Sequence, residues 1–151
     1  MSAIIISGFA GIGKTTFTKN YLNKFKILDL EPNTFSGRDT GVRNPNFLQN
    51  YIDFVLNNIN NYDYILISSQ KVVTDYLNLL NIKYFSVSPD KNLKSEYMKR
   101  LIDRNSNQWF IDLMQEKWDE WTVYFDQNPN PNKILLKSKQ YLSDVIKEMV
   151  L

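Results

Sequence analysis

The stretch from Ile4 to Phe17, IIISGFAGIGKTTF, constrains the fold of this chain more than any other. An isoleucine run ends at Ser7, a turn follows with glycines at 8, 11 and 13, and a periodic segment opens at Lys14. Isoleucine is β-branched and suits a buried strand. Phe17, Tyr21 and Phe25 recur every four residues, as on one face of a helix. The turn between them fits the pattern G-x-x-x-x-G-K-[ST] at Gly8, Gly13, Lys14 and Thr15. Glycines let a backbone aim successive N–H groups at one anion, and the helix amino terminus adds positive potential. The segment therefore predicts strand, anion-binding loop and helix. Gly8, Ala10, Gly11, Ile12, Gly13, Lys14, Thr15 and Thr16 would hold a polyphosphate. Lys14 would reach its outer phosphates and the Thr15 hydroxyl would bind Mg²⁺.

The rest of the chain repeats the alternation. Strands are expected at Ala3 to Ser7, Lys26 to Leu30, Tyr62 to Ser68, Lys83 to Ser88 and Ile134 to Lys137. Helices are expected at Lys14 to Phe25, Phe47 to Asn60, Gln70 to Asn81, Asn92 to Asp103, Asn107 to Asp126 and Ser138 to Val150. Gly37 to Asn46 and the stretch QNPNPNK read as loops. Such alternation implies right-handed crossovers and a mostly parallel sheet covered on both faces. With 151 residues and no linker, the chain is expected to be one domain. Ligands of such sheets bind at the carboxyl ends of the strands.

Composition removes several classes of chemistry. There is no cysteine and no histidine, so thiol chemistry, disulfides and the commonest general base are all absent. The net charge of +2 gives no basic stripe for long nucleic acid. The amino-terminal apolar run is too short for a signal peptide or a membrane span, and the expectation is a cytoplasmic protein without a membrane partner.

On the glycine loop and its flanks the chain resembles the small P-loop kinases of the nucleoside and nucleoside-monophosphate type. The likeness is at motif level over Gly8 to Thr16, looser at Asp29, Glu31, Arg100 and Arg104, and follows the order of elements over most of the chain. It implies a three-layer α/β/α P-loop fold whose five-stranded parallel sheet has the order 2-3-1-4-5. It implies ATP and Mg²⁺ as cofactors, and transfer of the γ-phosphoryl group to a small acceptor, a nucleoside or nucleotide.

The remaining candidates are read with that resemblance beside them. Asp29 and Glu31 are two apart, so in an extended segment they point to one side, at the end of strand two. In similar kinases an acidic pair here meets Mg²⁺ or the acceptor hydroxyl, which makes Asp29 the candidate base and, with Thr15, a metal ligand. Only four arginines occur in the sequence, and arginine suits bidentate phosphate recognition. Arg38 and Arg43 follow strand two, where such kinases hold the acceptor. Arg100 and Arg104 are four apart on one predicted helix face. The resemblance implies a short lid near 91–109 in which these two arginines close over ATP and stabilise charge.

Strand three ends in Ser68, Ser69 and Gln70, where hydrolytic relatives of this loop carry a carboxylate. That departure counts against a motor or switch. Both serines are candidates to face the acceptor, and Ser69 is also placed to cap the next helix. The stripe Phe110, Leu113, Met114, Trp118, Trp121 and Phe125 reads as core, with a nucleobase wall or a homodimer face as the other uses of such a surface. Two further functions fit the loop: a nucleotide-binding sensor or sequestering protein without turnover, and a polynucleotide 5′-end kinase.

Overall fold

Strand β1, Ile4–Gly8, is the middle strand of a five-stranded parallel sheet. The computed structural model describes residues 2–30 and 46–149. β2 (Ile27–Asp29), β3 (Tyr64–Ser68), β4 (Phe85–Pro89) and β5 (Lys133–Leu136) complete the sheet, in the order β2-β3-β1-β4-β5. All its pairings are parallel, and the register sets Gly8 beside Ser68 on one flank and Val87 on the other. The α/β class, the parallel sheet and its order agree with expectation.

The period-two alternation of the strands splits the core in two. Ile6, Leu66 and Val87 face one side with Phe17 of α1 (Lys14–Tyr21), Tyr97 and Leu101 of α4 (Lys94–Asp103), and Met114 and Trp118 of α5 (Gln108–Gln127). Ile5, Ile65 and Ile67 face the other with Tyr51, Ile52 and Val55 of α2 (Phe47–Asn57) and Val73 and Leu77 of α3 (Lys71–Leu79). Helices thus cover both faces, as all-parallel sheets require. Among the described residues, no helix is long and apolar enough to cross a membrane.

The asparagine-rich loop before β5 is pinned by its own side chains. The Asn130 and Asn132 N–H groups donate to the Asn128 and Asn130 side-chain oxygens at 3.0 and 3.1 Å, and Asn130 Nδ2 donates to the Tyr84 carbonyl at 2.9 Å. These are local side-chain turns of the kind asparagine favours.

The last helix departs from expectation. Instead of starting at Ser138, it is the short α6, Leu142–Val145, followed by a 3₁₀ turn over Ile146–Glu148. Tertiary bonds take the groups a helix would use. The Lys139 N–H and the Ser138 hydroxyl donate to the Glu96 carboxylate, Lys139 sits at φ 64°, and the Leu142 N–H donates to the Ile12 carbonyl at 2.8 Å. The connection between β5 and α6 therefore runs across the glycine loop.

Candidate functional site

The loop after β1 is held by its apolar members and shaped by its glycines. Phe9 and Ile12 are buried, with Phe9 edge-on to Trp118 at 5.3 Å between ring centroids. Gly11 and Gly13 have φ of 86° and 96°, the left-handed region in which a Cβ is strained. Gly13 precedes α1 and accepts the Phe17 N–H at 2.9 Å. No side chain caps this helix. The Thr15 and Thr16 N–H groups lie in the first turn, which has no intrahelical acceptors, at the positive end of the helix. Lys14 Nζ donates to the Gly8 carbonyl, which keeps the ammonium across the loop.

These residues line one wall of a cavity of about 980 Å³ at the carboxyl ends of β1 to β4. Gly8, Ala10, Gly11, Gly13, Lys14, Thr15 and Thr16 all contribute, whereas Ile12 is buried beneath them. Asp29, the last residue of β2, lines the same cavity. Burial pushes its carboxyl above the ordinary aspartate range, and the charge of Lys14 draws it part of the way back. Thr15 and Asp29 each offer the cavity a hard oxygen donor, the type of ligand that Mg²⁺ takes. Among the described residues, no group of three or more acidic, histidine or cysteine side chains is placed to hold a metal ion.

Ser68 and Ser69 also line the cavity. The Ser68 hydroxyl accepts the Gln70 N–H at 3.1 Å, while its own N–H donates to the Tyr51 hydroxyl at 3.1 Å. Ser69 does not cap α3. The helix begins after Gln70, which holds an extended ψ of 136°, and no side chain caps it.

Arg100 and Arg104 part company. α4 ends at Asp103, Arg104 is its cap, and Asn105 turns the chain at φ 57°. Arg104 lines the cavity and its Nε donates to the Ser106 hydroxyl at 2.9 Å. Arg100, still helical, turns behind the glycine loop. It donates to the Gly11 carbonyl at 2.9 Å and the Gln140 carbonyl at 2.8 Å, and pairs with Glu96 at 3.0 Å. Glu31, Arg38 and Arg43 lie outside the described residues.

The stripe on α5 serves two surfaces. Met114, Trp118 and Thr122 are buried, but Phe110, Leu113, Trp121 and Tyr124 line the cavity, together with Trp109. At 100° per residue, positions 110, 113, 121 and 124 fall on an arc beside that of 114, 118 and 122. A stripe broad enough for two faces was the sequence signal for this wall.

No protein-family model matches the chain, and no curated protein matches it. Among solved structures, it is similar to an uncharacterized protein from Eubacterium ventriosum ATCC 27560, at 13% identity and a TM-score of 0.49, over 98% of this chain and 96% of that one. A likeness this distant carries no functional argument.

Proposed function

We propose that the chain is a P-loop phosphotransferase that moves the γ-phosphoryl group of ATP to a small acceptor of nucleoside or nucleotide type. The observation that carries this reading is the shared cavity. The glycine loop, Lys14 and Thr15 line it together with Asp29, Ser68, Ser69 and Arg104. At about 980 Å³ it is at the upper end of small-molecule pockets, which suits two ligands meeting end to end.

In this reading the loop N–H groups and Lys14 take the phosphate oxygens, and Thr15 and Asp29 hold Mg²⁺, which neutralises charge on the phosphates when bound. An acceptor hydroxyl oxygen bonds to the γ-phosphorus as the bond to the bridging oxygen of ADP breaks, and Asp29 takes the hydroxyl proton. In the same reading Arg104, which lines the cavity, meets the moving charge, and the rings of Trp109, Trp121 and Tyr124 stack against a flat acceptor. The absence of a carboxylate at the end of β3 favours transfer over hydrolysis.

The test is a screen with γ-labelled ATP over nucleosides, nucleoside monophosphates, small alcohols and oligonucleotide 5′ ends. A labelled nucleoside or nucleotide product supports the reading. Label on oligonucleotide ends alone replaces it with an end kinase. Tight ATP binding with no product from any acceptor replaces it with a sensor.

A further inference from the structure

Arg100 makes a set of contacts whose common object is the glycine loop. Its guanidinium lies between the rings of Tyr97 and Tyr141, 4.3 and 3.9 Å from their centroids, and its side chain is only 10% exposed. One arm donates to the Gly11 carbonyl, and the other reaches both the Gln140 carbonyl and the Glu96 carboxylate. Glu96 in turn accepts the Lys139 N–H at 3.0 Å and the Ser138 hydroxyl. The pair thus joins α4, the glycine loop and the connection from β5 to α6.

The bonds fall on consecutive loop carbonyls. Arg100 holds that of Gly11, and the Leu142 N–H, at the end of the same connection, holds that of Ile12. In a trans peptide the C=O and the following N–H point in opposite directions. Fixing the Gly11 and Ile12 carbonyls on the outer side therefore fixes the Ile12 and Gly13 N–H groups away from it. Both peptides adjoin a glycine at positive φ, where the backbone is least restrained by its own sterics. A loop whose carbonyls turned inward would repel an anion.

We infer that the Glu96–Arg100 pair is a positioning clamp that presets the glycine loop to receive polyphosphate. The inference rests on the anion-binding reading of that loop. Arg100 touches neither donor nor acceptor and acts through the peptide planes of Gly11 and Ile12. Lysine cannot replace it, because a single ammonium lacks the planar fork that bonds two carbonyls while stacked between two rings.

The test compares wild type, Arg100→Lys and Glu96→Gln, well below the melting temperature of each. Two quantities are measured: the Kd for inorganic triphosphate by calorimetry, and the exchange rate of the Leu142 amide by NMR. Arg100→Lys is expected to raise the Kd about tenfold or more, the scale set by losing a charged hydrogen bond, and to speed Leu142 exchange. Glu96→Gln moves both in the same direction by less, and it carries the test if Arg100→Lys does not fold. A Kd within about twofold of wild type, with Leu142 exchanging faster, reduces the pair to a structural role and overturns the inference. Unchanged Leu142 exchange overturns the clamp itself. Failure of the wild type to bind triphosphate overturns the reading of the loop, and the clamp's role in binding falls with it.

Discussion

Gly13 packs against the ring of Tyr141: a Cβ at position 13 would stand 3.0 Å from Tyr141 Cδ1. The contact joins the last residue of the glycine loop to the connection that crosses it. Gly13→Ala is expected to cost about 1–2 kcal/mol for the left-handed backbone alone, with the ring contact adding to it. In a Tyr141→Ala background the contact part disappears and the backbone part remains, so the two changes are non-additive. Chemical denaturation of the double-mutant cycle measures this. Additive effects would mean that the ring does not crowd the loop.

Asp29 trades stability for its place in the cavity. Its folded pKa is raised, chiefly by burial, so the ionised carboxylate is penalised in the folded state. Between the unfolded and folded pKa values the native state holds the proton more often, and stability falls as pH rises through that window. Above it the penalty is complete. Asp29→Asn is therefore expected to be more stable than wild type at neutral pH, an advantage that disappears in acid, while phosphoryl transfer is crippled. Denaturation midpoints across pH check the first part, and a variant less stable than wild type at pH 7 would contradict it.

How far the sequence carries this account depends on where each residue's partners lie. The strands were legible because isoleucine runs and flanking breakers are local signals, and the loop because its pattern sits between strand and helix. The path of Ser138 to Tyr141 was not, because Glu96, some forty residues away, decides it. Arg100 and Arg104 had the spacing of one helix face, but the helix ends between them. Spacing fixes a face only while the helix lasts.

The Tyr97 hydroxyl is buried with no hydrogen-bond partner among the described residues, and burial pushes its pKa up to about 12. Tyr97→Phe is expected to leave stability unchanged or raise it by up to about 1 kcal/mol, since the variant buries no unpaired hydroxyl and keeps the ring under Arg100. The unfolded hydroxyl ionises first as pH rises, so wild type loses stability relative to the variant from about pH 10 upward. Thermal melts at pH 7 and in alkali test both statements. A loss of stability at pH 7 would show that the hydroxyl has a partner.

The tryptophans of α5 are expected to separate by function. Trp118 is buried and its Nε1 donates to the Lys91 carbonyl at 2.9 Å, so Trp118→Ala should cost about 3–5 kcal/mol. Trp109 is 59% exposed at the cavity rim, so Trp109→Ala should change stability little and raise the KM for the acceptor while leaving that for ATP near wild type. Equal effects on both KM values would remove Trp109 from the acceptor wall.

The central claim is that Lys14 and its loop bind ATP for transfer, and the most direct measurement is the rate of γ-phosphoryl transfer in wild type and Lys14→Ala, with the fold of each checked by circular dichroism. The account predicts an ATP-dependent labelled product from wild type and a rate at least about a hundredfold lower from the folded variant, the scale of losing a charge-stabilising contact in the transition state. Transfer at the wild-type rate by Lys14→Ala would contradict it.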